Sequence, residues 1–120
     1  MDVVTNETRT LHVAEGELDG LTLRQMGATV IAIPGGNAVP GGPSADWLQR
    51  VAQVETLVLW MDQDEGGSIA AERFVGAVSD ASTDRPRIFS VSHDYGPLDV
   101  NDLWCAGFCS MLESGIERFR

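Results

Sequence analysis

The sequence predicts an α/β protein built on a parallel four-stranded sheet with helices on both faces. Two observations carry this prediction. Four short segments rich in β-branched and aromatic residues alternate with stretches of helical length, the pattern of successive βα units. Two of the four, 29–33 (TVIAI) and 56–61 (TLVLWM), are almost continuously apolar, as expected of strands covered on both sides.

In chain order, 10–14 (TLHVA) is the first expected strand. Residues 17–26 are expected to be helical and ended by Gly27, although Leu18, Leu21, Leu23 and Met26 do not share one narrow stripe. The strand at 29–33 comes next. Ser44 can cap a helix whose apolar positions are Trp47, Leu48, Val51 and Val54. After the strand at 56–61, Ala71, Phe74, Val75 and Val78 recur at the helical spacing i, i+3, i+4, i+7. The fourth strand is 87–92 (RIFSVS). Asp99 can cap a last helix in which Leu103, Trp104, Gly107, Phe108, Met111 and Leu112 form one stripe and Gly115 is the stop.

The 120 residues, 43% of them hydrophobic, fit a single domain over 1–120 with a core at about 10–112. Eight arginines and no lysine stand against 18 acids, for a net charge of −10. A lone cationic clamp on DNA is thereby excluded, because phosphates are neutralised by Lys and Arg. No stretch nears the roughly 20 apolar residues that span a bilayer, and no basic segment leading into an apolar one opens the chain. A soluble protein of the cytoplasm, with no membrane partner, is expected. Cys105 and Cys109 are expected to be reduced thiols, and zinc is not expected, since it takes about four ligands. His12 and His93 are read as structural or exposed.

Right-handed crossovers bring the carboxyl ends of parallel strands to one edge of the sheet, where ligands bind in open α/β folds. The residues at each strand's carboxyl end therefore matter. The first strand runs into Glu15-Gly16-Glu17-Leu18-Asp19, the second into Pro34-Gly35-Gly36, and the third into Asp62-Gln63-Asp64-Glu65-Gly66-Gly67. The fourth leads to Asp99-Val100-Asn101-Asp102. Three of four strand ends deliver acids to one edge. Clustered carboxylates raise one another's pKa unless a cation neutralises them, and oxygen-only donors select Mg²⁺ or Mn²⁺. The glycines let backbone turn sharply and phosphate approach. The pattern reads as a metal-dependent site for phosphate chemistry. Taken singly, Asp62-x-Asp64 also suits a turn and helix N-terminus, Asp99 a helix cap, and the glycine loop an ordinary turn.

Together these segments resemble the TOPRIM domain of topoisomerases, bacterial-type primases and some nucleases and recombination proteins. LHVAEGELDGLTLRQMG is similar to the family's opening strand, glutamate and helix, and VLWMDQDEGGSIAAERF to its Asp-x-Asp strand end. EGELDGLTL, the IPGG loop, DQDEGG with AAERF, and LDVNDLWCAG resemble bacterial replicative primases, most of all phage and mitochondrial-type primase–helicases. The resemblance implies a Rossmann-like parallel four-stranded sheet. It also implies catalytic and metal-binding roles for Glu15, Asp62 and Asp64, with Glu15 moving a proton or holding metal. Asp19 matches the second acid of the opening motif and Asp99 the acid of the late one, both as further metal ligands. Asn101 fits the Asp-x-Asn version of that motif, and Gly16, Gly35, Gly36 and Gly66 match tight turns beside the site.

The activity implied is nucleotidyl transfer, the synthesis of RNA primers by a DNA primase or primase–helicase, with Mg²⁺ or Mn²⁺ as cofactor and DNA and nucleoside triphosphates as partners. Complete primases add a zinc module and a basic subdomain, and neither is seen here. The chain is thus expected to be a domain excised from a longer protein, or a small protein that borrows its DNA contacts. The alternatives are a TOPRIM nuclease and a non-catalytic binding module. A topoisomerase needs a nucleophilic tyrosine, and the one tyrosine is Tyr95. A receiver domain would need a late lysine, and a dinucleotide site would need G-x-G-x-x-G after the first strand; both are missing.

Overall fold

Parallel pairing organises the chain. β1 (Thr10–Glu15), β2 (Val30–Ile33), β3 (Thr56–Trp60) and β4 (Arg87–Ser90) form one four-stranded sheet in the order β2-β1-β3-β4, with every neighbouring pair parallel. The computed structural model describes residues 9–33, 51–61, 65–81, 86–91 and 99–119. The helices among them are α1 (Glu17–Gln25), α2 (Glu65–Ala81), α3 (Val100–Cys105) and α4 (Cys109–Glu117). Of the expected helix capped by Ser44, only the end at Val51 and Ala52 is described, and it is helical. No helix among the described residues is long and apolar enough to cross a membrane.

Side chains alternate across the strands and so build two cores. Leu11, Val13, Ile31, Leu57 and Leu59 pack on one face against Phe74 and Val78 of α2, with Val51 and Val54. Ala14, Val30, Val58 and Trp60 pack on the other against Leu23 of α1, Leu103 of α3, and Leu112 and Ile116 of α4. The expected helices on both faces are therefore present. On α2 the anticipated stripe holds: Phe74 and Val78 are buried, and Ala71 and Val75 lie half-buried against the same core.

The last helix differs from the expectation. It is two helices, broken at Gly107 and not ended by Gly115. Gly107 takes φ +90°, a conformation that favours glycine. The Gly107 N–H donates to the Trp104 carbonyl at 3.1 Å and the Phe108 N–H to the Leu103 carbonyl at 2.9 Å. Phe108 also returns to the core that holds Leu103. This is a Schellman stop with its apolar contact. The same device ends α1, where Gly27 N–H donates to Arg24 O and Ala28 N–H to Leu23 O. The break leaves Trp104 exposed and separates Cys105, at the end of α3, from Cys109, at the start of α4. Both thiols are free.

Gly115 lies inside α4 for a different reason. A Cβ there would come 2.5 Å from Trp60 Cη2, so only glycine lets α4 approach that ring. Trp60 is fixed in turn by its indole N–H, which donates to His12 Nδ1 at 2.9 Å in the interior. His12 is thus structural, as expected. It ties β1 to β3 through their side chains as well as their ladder.

In an exposed helix Gly→Ala gains about 0.5–1 kcal/mol. Here overpacking reverses the sign, and Gly115→Ala should destabilise by about 1–3 kcal/mol in urea unfolding. In a Trp60→Phe background the smaller ring relieves the contact, so the penalty of Gly115→Ala should shrink by at least half. That non-additivity is the signature of direct contact. Trp60→Phe alone should cost about 1–3 kcal/mol, because His12 Nδ1 loses its donor inside the core.

Candidate functional site

The first strand ends on an acid that the fold holds at the sheet edge. Glu15 is the last residue of β1, opposite Ile33 of β2, and is only 8% exposed. Strand alternation puts its side chain on the face of Leu11 and Val13, the face that α2 covers. The next residue turns the chain. Gly16 has φ 88° and ψ 156°, a region essentially confined to glycine. Its N–H donates to the Ile33 carbonyl at 2.9 Å, so the ladder runs on past Glu15 before α1 begins. Among the described residues, a Cβ on Gly16 would meet nothing within 4 Å. The requirement there is conformational rather than steric.

One turn into α1 stands Asp19, 3% exposed. Its Oδ1 accepts the backbone N–H of Asn101 at 3.0 Å, across a separation of 82 residues in sequence. Thr22, one turn further on, places its hydroxyl 3.2 Å from Asn101 Oδ1 and 3.0 Å from the Leu18 carbonyl. The hydroxyl has one proton and serves one of these acceptors at a time. The opening acidic turn and the late Asp-x-Asn motif are therefore joined side by side. Gly20 makes this possible by letting α1 lie close to β2: a Cβ there would stand 3.1 Å from Ala32 Cβ.

Asp99 is the N-cap of α3. Its Oδ1 accepts the Asp102 N–H at 2.8 Å, and Asp102 Oδ2 accepts the Asp99 N–H at 3.3 Å. This is a reciprocal capping box with aspartate in place of the usual glutamate. The capping alternative for Asp99 is thus present in the structure. Asn101 is engaged at its backbone by Asp19 and at its side chain by Thr22.

Asp62 and Asp64 lie outside the described residues, as do Gly35, Gly36, His93 and Tyr95. Gly66 is in the first turn of α2. The third strand ends at Trp60, paired with Ala14, so the chain leaves toward Asp62 at the edge occupied by Glu15. Among the described residues, no three His, Cys, Asp or Glu stand together as a metal-holding group. The exposed arginines among them are Arg9, Arg24, Arg73, Arg87 and Arg118.

Thr22 was not singled out by the sequence. The available signal was the poor periodicity of α1. Its buried positions are Asp19, Gly20, Thr22 and Leu23, while Leu18 and Leu21 are 66% and 53% exposed. The inward face of α1 is polar because it makes polar bonds.

No family model matches the sequence, and none of the curated proteins does. Solved structures do match by fold. A DNA primase domain from Pseudomonas aeruginosa superposes with a TM-score of 0.69 at 23% identity over 96% of this chain. The primase fragment of the bacteriophage T7 primase-helicase protein gives 0.59 at 20% identity over 94%. A small TOPRIM domain protein from Bacillus stearothermophilus gives 0.53 at 16% identity over 93%, and 86% of its own length is covered. The chain spans 35% of the Pseudomonas primase domain and 45% of the T7 fragment. The chain has the TOPRIM fold, in the form also seen in primase catalytic domains.

Proposed function

We propose that this chain is a metal-dependent nucleotidyl-transfer domain of primase type, working with DNA and nucleoside triphosphates through further domains or a partner protein. The observation that supports it best is the placement of Glu15. It is a largely buried carboxylate at the carboxyl edge of the central strand, held there by a glycine-only turn and flanked by the acidic turn of α1. Primase neighbours of the same fold include a DnaG catalytic domain bound to ssDNA and T7 primase domains bound to an RNA/DNA hybrid.

The donor chemistry fits a hard divalent ion. The described acid at this edge offers oxygen, and the described imidazole, His12, accepts from Trp60 on the opposite face of the sheet. Glu15, with Asp62 and Asp64 from the end of the third strand, would hold Mg²⁺ or Mn²⁺; Asp99 stands at the start of α3 as a further acid. A divalent ion so bound supplies Lewis-acid stabilisation of charge on phosphoryl oxygens. Alternatively to holding the ion, Glu15 would accept the proton of an attacking 3′-hydroxyl, whose oxygen bonds to the α-phosphorus of a nucleoside triphosphate as pyrophosphate leaves. Glu15 is 8% exposed as a residue, and such burial would limit the water around its carboxylate.

Millimolar Mn²⁺ should raise the Tm of the chain, by binding the native state alone. Glu15→Gln should reduce that rise to a small remnant, and Asp62→Ala with Asp64→Ala should abolish it, in differential scanning fluorimetry with and without EDTA. An unchanged Tm in Mn²⁺ would refute the metal site. Incubation with single-stranded DNA, nucleoside triphosphates and Mn²⁺ tests the chemistry. Dinucleotide formation supports primer synthesis, whereas cleavage of single-stranded or nicked DNA would assign the site to a nuclease.

A further inference from the structure

The bond between Asp19 and Asn101 assigns Asp19 a task of its own. We infer that Asp19 is a positioning residue, which clasps the start of α3, and with it the late acidic motif, to α1, rather than a metal ligand. The inference rests on the metal-dependent reading of the site, but its structural half stands apart from it.

A helix of six residues, the length of α3, is too short to persist by its own backbone bonds. The first N–H groups of any helix have no partner within it. In α3 the Asp102 N–H goes to the Asp99 cap and the Leu103 N–H to the Asp99 carbonyl. The Asn101 N–H is satisfied from another helix altogether, by Asp19 Oδ1 at 3.0 Å. A carboxylate at a helix start is also favoured by the positive end of the helix dipole.

The clasp has a second strand. Asn101 Oδ1 lies 3.2 Å from the Thr22 hydroxyl, and Thr22 is buried on the same face of α1. Asn101 therefore meets α1 through both backbone and side chain. Its amide is drawn to α1, and Asp99, two residues earlier, is carried along at the edge of the sheet. Asp19 is 3% exposed and Asn101 half-buried, so loss of the carboxylate leaves the Asn101 N–H without its protein acceptor. Side chains that orient metal-holding groups from behind influence affinity nearly as strongly as ligands do.

The test compares Asp19→Ala with Asp19→Asn in the full 120-residue chain, reading the metal-free Tm and the Mn²⁺ Kd by electron paramagnetic resonance at a temperature where all variants are folded. Asparagine keeps an oxygen acceptor but no charge; alanine removes both. Asp19→Ala should lower Tm by about 4–8 °C and weaken Mn²⁺ binding about tenfold or more, while Asp19→Asn should stay within about threefold of the parent Kd. If Asp19→Asn binds Mn²⁺ as poorly as Asp19→Ala with its Tm retained, Asp19 is a ligand and the inference is overturned. If both variants keep the parent Kd while Asp19→Ala loses stability, the bond is only structural and the positioning role is likewise overturned. Should the parent chain take up no Mn²⁺, the metal reading itself fails. Amide exchange at Asn101 then decides the clasp: protection lost in Asp19→Ala alone upholds it, and equal protection in all three chains refutes it.

Discussion

Parallel pairing of β1 with both β2 and β3 is the constraint on which the rest of the molecule depends. It sends three strands out of the sheet at a common edge. It buries the central strands on both faces and leaves the edge as the place where polar side chains can gather without crossing a core. Trp60 reinforces the pairing at that edge. One end of its indole bonds His12 of β1, and its six-membered ring lies where a Cβ on Gly115 would be. A single side chain thus sets the distance of α4 from the sheet and joins the two strands that lead to Glu15 and to Asp62.

The acids of α1 and α3 carry an energetic conflict that the fold resolves locally. Removing a carboxylate from water is costly unless hydrogen bonds replace the lost hydration. Asp19, almost wholly buried, meets this with an N–H that would itself be unpaired at the start of a helix. Two groups that are unfavourable apart become favourable together. Half-buried Asp99 and exposed Asp102 solve the same helix-start problem by bonding each other's backbone. The start of α3 is specified from two directions, one within the helix and one from α1.

The sheet was legible in the sequence because its strands are apolar runs with β-branched residues, and burial on both faces demands such runs. The four predicted strands differ from the observed ones by a residue or two at their ends. Phe74 and Val78 were legible because α2 follows the helical period toward one core. The end of the chain was less so. Both Gly107 and Gly115 are possible stops, and the choice depends on tertiary contacts: Phe108 folding back beside Leu103, and Trp60 lying against Gly115. In α1 hydrophobic periodicity misleads for a related reason. The helix turns Asp19 and Thr22 inward to reach Asn101 and leaves Leu18 and Leu21 outside. Of the site, Glu15 could be read from its position after a strand. The partnership of Asp19 with Asn101 could not, because it links a side chain to a backbone N–H, which carries no residue-specific mark.

Charge sets the terms on which such a site can act on nucleic acid. A chain of net charge −10 repels a polyanion at a distance. The exposed arginines among the described residues come from separate places in the chain: before β1, in α1, in α2, at the start of β4 and after α4. Among the described residues no single element presents the run of cations that a phosphate track requires. A metal-dependent site overcomes the repulsion in two separate ways. At the proposed centre a divalent ion would stand between carboxylates and phosphate. Along the rest of a strand the cations would have to come from elsewhere; the chain spans 35% of the primase domain whose fold it shares. The same acidity that works against a DNA clamp is what the proposed site for divalent ions would call for.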